Sequence, residues 1–182
     1  MSMRKAGKAL SLAIALGVAT EWAYGRAEGP QLGRTLSPQE IDSIGINVFP
    51  DGSGLPPGGG TAAQGQAVYE GKCASCHGPK GLGGSAEELA GGQHSLTSDA
   101  PDKTVGIYWP YATTIFDFVR RSMPLDAPRS LSDDEVYAVT AYLLFLNGII
   151  DRDREMNAQS LPKLEMPNRH GFISIFELEQ TR

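Results

Sequence analysis

The chain has 182 residues, a formal net charge of −5 and a hydrophobic fraction of 41%. This length fits one domain with additional segments, and the 22 glycines and 12 prolines, which cluster outside the helical patterns, predict long irregular segments around a small core. Nucleic acid and anionic membranes bind basic surfaces, so the net negative charge argues against both as partners. It favours a basic protein partner instead.

Residues 1–27 have the pattern of a secretory signal peptide. Basic residues precede an apolar run from Ala9 to Thr20, and small residues that suit cleavage follow near Ala27. A membrane span needs about 20 apolar residues, and Glu21 ends this run early. We therefore expect cleavage, export to the periplasm and no stable membrane insertion afterwards.

Residues 28–60 are predicted to form an extended N-terminal arm. Ser37, Pro38 and Glu40 have the pattern of a helix start with a capping box, and Gly45 would end that helix. The proline- and glycine-rich stretch that follows is typical of a linker, but it is too apolar for a disordered one. We expect it to lie on a surface, either its own or a partner's. Its apolar residues are Ile44, Ile46, Val48, Phe49 and Leu55.

Residues 61–150 are predicted to form an all-α domain, whose first helix runs from Thr61 to Cys73. Gly65 would let another helix approach closely, although it could also be a weak helix position that costs about 1 kcal/mol. The glycine-rich loop from Gly78 to Gly92 lacks the preceding strand and the Gly-Lys-Ser/Thr ending of a phosphate loop. We expect it to wrap around the residues before it.

Two more helices are predicted in this domain. The first covers Thr113 to Arg121, and the proline after Met123 moves that methionine out of helical geometry, into a loop. The second helix begins with a capping box between Ser132 and Glu135 and runs to Leu146. Because it is apolar on nearly every side, both of its faces should be covered.

The segment 151–182 contains two prolines and scattered apolar residues without sustained periodicity. We interpret it as an extended C-terminal docking tail, whose apolar groups would lie in a partner interface. A segment wrapped around its own domain is an equally open alternative. The apolar groups concerned are Leu161, Leu164, Met166 and Phe172.

The strongest chemical signal is the pentapeptide Cys73-Ala74-Ser75-Cys76-His77. Two thiols spaced in this way and followed by histidine form the attachment pattern of a c-type haem, in which the imidazole reaches the iron as the proximal ligand. The chain has only these 2 cysteines, so we predict one covalently bound haem c. A thiol redox pair is less favoured because such motifs occur in βαβ surroundings. A zinc site would need two more soft ligands, and only His94 and His170 remain.

Met123 is the predicted distal ligand, because its loop lies between two helices. A methionine ligand raises the reduction potential and closes the iron, which indicates electron transfer. Met156 and Met166 follow the last helix of the domain, and His94 lies in a polar loop. These three are therefore weaker candidates.

Other residues are candidates for contact with the haem. Tyr108 and Trp109 could donate hydrogen bonds to the propionates, or they could serve core packing alone. Arg120 and Arg121, in the last turn of a predicted helix, complete the set of candidate cofactor-binding residues. We also expect a backbone carbonyl near residues 88–90 to accept the Nδ1 proton of His77 and so fix its tautomer.

The order of helix, C-x-x-C-H, loop, helix, methionine loop and terminal helix resembles a class I cytochrome c. A closer resemblance covers roughly residues 30–173 and is carried by CASCHGP, YWPYATTIFDFVRRSMP, SLSDDEVYAVTAYLLFLNGII and LPKLEMPNRHGF. These stretches resemble the monohaem cytochrome subunits of sulfite dehydrogenase and the cytochrome subunit of sulfane dehydrogenase in the thiosulfate-oxidising Sox system. The resemblance implies thioether links at Cys73 and Cys76 and axial ligation by His77 and Met123.

The resemblance also implies partners. It predicts a molybdenum-cofactor subunit that oxidises sulfite or sulfane sulfur and reduces this haem, and a downstream acceptor that takes up the electrons. Sulfane dehydrogenase cytochromes typically carry a second haem domain, so the single C-x-x-C-H favours a sulfite-dehydrogenase type or a stand-alone protein. We expect the chain not to be catalytic alone. A free soluble shuttle remains an alternative, while a peroxidase-like enzyme would need a distal acid–base pair that the sequence does not offer.

Overall fold

The computed structural model describes residues 32–173, except for the side chains of residues 42 and 43. The prediction of an all-α domain with irregular terminal segments is confirmed, since the only strands in these residues are two residues long. The predicted signal peptide lies outside the described residues. The helices are α1 (Pro38–Ile44), α2 (Ala62–Lys72), α3 (Ala74–His77), α4 (Ala112–Ser122) and α5 (Asp133–Leu146), the strands are β1 (Gly59–Gly60) and β2 (Met156–Asn157), and 3-10 turns cover Pro79–Gly81 and Leu161–Lys163.

The described residues divide into two units, residues 32–43 and residues 44–173. In the first unit, helix α1 begins with the predicted capping box, in which the Ser37 amide donates to the Glu40 carboxylate over 2.9 Å. The Glu40 amide in turn donates to the Ser37 hydroxyl over 3.3 Å. Among residues 32–173, no helix has the length and apolar character needed to cross a bilayer.

Helices α2 and α5 form the closest helix contact of the second unit. Both begin with a capping box, made by Thr61 in α2 and by Ser132 in α5. A Cβ atom at Gly65 would overlap the carbonyl oxygen of Ala138, so only glycine permits this approach. One turn further along, the rings of Tyr69 and Tyr142 lie 5.4 Å apart. The close approach that the sequence predicted for Gly65 is therefore confirmed.

Helix α4 packs on α5 through aromatic rings. Phe116 and Tyr137 are both fully buried, and their ring centroids lie 4.4 Å apart. Nine consecutive residues of α5, from Val136 to Leu144, are buried. The expectation that both faces of this helix are covered is thus confirmed.

The part of the N-terminal arm that belongs to the second unit is fastened to these helices by hydrogen bonds between its backbone and their side chains. Val48 is buried in the same apolar core, whereas Phe49 is 57% exposed. Residues 48–56 therefore lie on the surface of their own chain, which was one of the two expected arrangements. The bonds join the Val48 amide to Asp117 (2.9 Å), the Thr113 hydroxyl to the Pro50 carbonyl (3.3 Å) and the Tyr137 hydroxyl to the Pro56 carbonyl (2.9 Å).

The C-terminal segment also packs on its own domain. Strand β2 pairs antiparallel with β1, with Met156 opposite Gly60. Three of the four apolar groups that the docking interpretation placed in a partner interface are buried in the core of this chain, and only Phe172 is exposed, at 54%. Residues 156–166 therefore wrap around their own domain. The three buried groups are Leu161, Leu164 and Met166.

The glycine contact supports a first prediction. Gly65→Ala should destabilise the protein by about 1–3 kcal/mol or more, because the added methyl group forces α2 away from the α5 backbone. Gly71→Ala is the matched control, since a Cβ atom there meets no other atom within 4 Å. It should stabilise α2 by about 0.5–1 kcal/mol. Chemical denaturation of both variants gives the comparison, and equal stabilities would contradict the contact.

Candidate functional site

The turn that carries the two cysteines and His77 is held by backbone hydrogen bonds on both sides. The Cys73 carbonyl accepts from the His77 amide over 3.0 Å, and the His77 carbonyl accepts from the Gly83 amide over 2.9 Å. Gly78 has a φ angle of +74°, and a Cβ atom there would overlap the Gly83 carbonyl oxygen. The loop after the motif therefore folds back onto it, as the sequence predicted.

The ring of His77 is oriented by the backbone of that loop. Its Nδ1 atom lies 2.8 Å from the carbonyl oxygen of Glu87. Because a carbonyl oxygen only accepts hydrogen bonds, Nδ1 carries the proton and Nε2 keeps the lone pair that can bind a metal. The acceptor lies one residue before the predicted range of 88–90. Within that range, the Leu89 carbonyl is already used by the Val105 amide.

The two thiols occupy different environments. Cys73 is half-buried against the apolar core, and this burial raises the pKa of its thiol to about 11. Cys76 is exposed, and neither cysteine is in a disulfide. A catalytic thiol pair would instead have a lowered pKa, so a redox role is not supported. Nor do the described residues contain a cluster of three or more His, Cys, Asp or Glu side chains that could hold a zinc ion.

Met123 has the backbone geometry expected of a residue that leaves a helix. It follows the last residue of α4 with φ −117° and ψ 147°, and its side chain is half-buried against the core. The alternative ligands are engaged elsewhere, because Met156 and Met166 are fully buried core residues. His94 donates its backbone amide to Asp102 over 2.7 Å, and its ring contacts the same carboxylate.

Tyr108 and Trp109 belong to a chain of aromatic rings. Their centroids lie 6.3 Å apart, and the chain continues from Trp109 to Phe118 at 6.0 Å and from Tyr108 to Phe172 at 5.4 Å. Among residues 32–173, no hydrogen-bond partner satisfies the Tyr108 hydroxyl or the Trp109 indole N–H. Both groups are therefore free to donate to an anionic ligand.

Arg120 and Arg121 are both paired with carboxylates of the chain itself. The Arg120 guanidinium donates to Asp133 over 3.0 Å and to the Ile46 carbonyl over 3.4 Å. Arg121 forms an ion pair with Asp117, whose carboxylate also holds the N-terminal arm. These contacts favour a structural role for both arginines over the predicted cofactor contact.

Tyr69 is a supporting residue that sequence reasoning missed. Its hydroxyl donates to the carbonyl oxygen of Gly78, the residue after His77, over 2.9 Å. Burial raises the pKa of this hydroxyl to about 12, so it remains a neutral donor. The sequence held one signal for this role. Position 69, four residues before Cys73, is a tyrosine, although a phenylalanine would fill the same space without a hydroxyl group.

The residues of the site fit a haem c. An imidazole oriented by a carbonyl at Nδ1, a half-buried thioether and two unpaired thiols together form the donor set that covalent His/Met haem attachment requires. Cys73, Trp109 and Met123 all border one apolar core, which suits the faces of a porphyrin.

A comparison with protein families finds that the cytochrome c family model matches residues 62–147. Among solved structures, a chain of the crystal structure of the sulfane dehydrogenase SoxCD from Paracoccus pantotrophus is similar, with 42% identity and a TM-score of 0.75. The similarity covers 85% of this chain and 76% of that one.

Among curated proteins, a thiosulfate dehydrogenase of Stutzerimonas stutzeri (strain A1501) is 34% identical over 92 residues. The matched region is 48% of this chain and 28% of that relative. This chain therefore spans little more than a quarter of the length of the curated relative.

Proposed function

Because this chain belongs to the class I cytochrome c family, we propose that it is an exported electron carrier with one haem c that serves a sulfur-compound dehydrogenase. Electron transfer is the function of the family, and membership implies a covalently bound haem. In this proposal a molybdenum-cofactor subunit oxidises sulfite or sulfane sulfur and delivers electrons to this chain. A downstream acceptor in the periplasm then receives them.

The site residues have distinct roles in this proposal. Haem c, when bound, supplies a one-electron Fe(III)/Fe(II) couple. Cys73 and Cys76 would form the thioether links, His77 would bind the metal through Nε2, and Met123 would supply a thioether ligand. The Glu87 carbonyl keeps the His77 proton on Nδ1 and makes the imidazole a more basic ligand.

The polar edge of the cofactor has its own candidates. Tyr108 and Trp109 offer unpaired donors to the propionates. Arg120 and Arg121 instead support the fold through Asp133 and Asp117.

One observation carries the assignment to a dehydrogenase. The similarity to the SoxCD chain covers 85% of this protein, whereas the family model covers only residues 62–147. The resemblance therefore extends into the segments outside the haem domain, which a generic electron carrier does not need. Shared segments of this kind favour a shared type of partner.

A free electron shuttle is the second candidate, and one observation favours it. Leu161, Leu164 and Met166 are buried against their own domain rather than left for a partner. A transient redox encounter needs only a small interface of less than about 1,200 Å². In this alternative the haem chemistry is the same, but the protein has no obligate partner.

Affinity purification of the exported, tagged protein from its native host tests the proposal. We expect a molybdenum-containing subunit to co-elute, and sulfite or a protein-bound sulfane to reduce the haem in that complex. Reduction by dithionite is the control that the haem is intact. A haem that dithionite reduces, in a protein that elutes alone and does not respond to either sulfur compound, would leave the free shuttle as the better description.

A further inference from the structure

Asn147 lies directly after helix α5 and uses both donors and the oxygen of its side-chain amide. Its Nδ2 group donates to the carbonyl oxygens of Leu143, at 2.8 Å, and Leu89, at 3.0 Å. Its Oδ1 atom accepts from the Gly106 amide, at 3.1 Å. Two donors and one acceptor are thus satisfied at once, which an aspartate of the same shape could not achieve.

Helix capping explains only one of these three bonds. The bond to Leu143 satisfies a carbonyl at the end of the helix, as a C-terminal cap does. The other two reach residues 58 and 41 positions away in sequence. They join the loop that follows the cysteine motif to the loop that leads into Tyr108 and Trp109.

The first of these loops carries the hydrogen-bond acceptor of His77. Glu87 lies two residues before Leu89, and the segment between them is held at both ends. At one end the Ala86 amide donates to the Cys76 carbonyl over 2.9 Å. At the other end the Leu89 carbonyl accepts from Val105, over 3.1 Å, and from Asn147.

Asn147 supports both sides of the bond between Leu89 and Val105. It binds the Leu89 carbonyl directly, and it binds the amide of Gly106, the residue next to Val105. Loss of its side chain would therefore release two contacts that keep the two loops in register. The carbonyl of Glu87 would lose part of its support as a consequence.

We infer that Asn147 is a positioning residue for the proximal ligand, because it holds the loop whose Glu87 carbonyl binds the Nδ1 proton of His77. This inference rests on the proposed function, in which His77 binds the haem iron. A weaker Nδ1 hydrogen bond makes the imidazole less basic, and a less basic ligand stabilises the ferric state less. The reduction potential then rises.

The test compares Asn147→Ala with Asn157→Ala in the full-length haem protein. Asn157 also bonds through its side chain, to Ser160, Gln159 and Glu155, but it lies in β2 and has no bond to either loop. In Asn147→Ala, the His77 Nδ1 proton, followed by NMR in the reduced protein, should exchange with solvent roughly fivefold faster or more. The reduction potential should shift upward. Neither quantity should change in Asn157→Ala.

A purely structural role gives a different pattern. If Asn147→Ala melts at a lower temperature but keeps the exchange rate and the potential of the unmodified protein, Asn147 is only a helix cap and the inference is wrong. Should this variant not fold, Asn147→Asp keeps the shape and the acceptor for Gly106 but has no donor for Leu89. Its His77 proton should still exchange faster, and an unchanged rate would refute the positioning role.

The same experiment separates this inference from the proposed function. A lack of His77 ligation in the unmodified protein would refute the proposed function itself. An unchanged exchange rate in the variants of a His77-ligated protein refutes only the role of Asn147.

Discussion

Met123→Leu should leave the haem attached but change its iron chemistry. The proposed thioether links at Cys73 and Cys76 do not involve this side chain, and leucine keeps its approximate volume, so the fold should survive. The weak near-infrared sulfur-to-iron band of the oxidised protein should disappear. The reduction potential should fall, because a methionine ligand raises it. The reduced protein should also bind carbon monoxide, which a closed iron does not.

Two matched variants make this result decisive. Met156 and Met166 are the other candidate thioethers, and both are fully buried in the core. Met156→Leu and Met166→Leu should keep the near-infrared band and should cost less than about 1.5 kcal/mol in stability. If the band is lost in either of them and retained in Met123→Leu, the distal ligand is a methionine of the C-terminal segment. Absence of the band from the unmodified protein would instead favour His94, because a histidine ligand has no sulfur to give it.

The local signals of the sequence predicted the helices of this protein well. A capping box joins residues three positions apart, so the boxes at Ser37 and Ser132 could be predicted from the sequence alone. For Gly65 the sequence left close packing or a weak helix position open, and the structure shows the first at Gly65 and the second at Gly71. The haem attachment motif was also local, because Cys73, Cys76 and His77 lie in one turn of the chain.

The contacts that the sequence did not predict join residues far apart in the chain. Arg120 lies in the last turn of α4, and no local pattern shows that Asp133, which begins the next helix, neutralises it. The acceptor of His77 was placed one residue too late, because the path of a glycine-rich loop depends on its positive φ angles and not on side-chain pattern. The role of Asn147 could not be predicted from its neighbours in sequence, because two of its partners lie in distant loops.

The burial of the apolar side chains in the C-terminal segment could not be predicted from their spacing. Residues 156–166 contain a two-residue strand and a 3-10 turn, and neither is long enough to repeat a period of two or of 3.6 residues. Their apolar side chains therefore looked scattered and suited to an interface. They are buried because the irregular backbone turns each of them separately toward the core.

Deletion of residues 151–182 should prevent stable folding, even though the cysteine motif remains intact. The deletion removes Met156, Leu161, Leu164 and Met166 from the core, together with the strand that pairs with β1. Burial of each such side chain contributes about 1.5–3 kcal/mol. Four of them together approach the whole stability of a domain, which is about 5–15 kcal/mol. We therefore expect little folded haem protein and a loss of helical circular dichroism.

Point variants test the same burial without shortening the chain. Leu161→Ala removes a side chain that is 1% exposed, and Leu125→Ala makes the same chemical change at a side chain that is 78% exposed. Chemical denaturation should show a loss of about 2–5 kcal/mol for the first and of less than about 0.5 kcal/mol for the second. Equal losses, with a truncated protein that still folds around its haem, would mean that the segment leaves the core in solution. The docking tail would then be the better interpretation, because its apolar groups would be free to enter the interface with a dehydrogenase subunit.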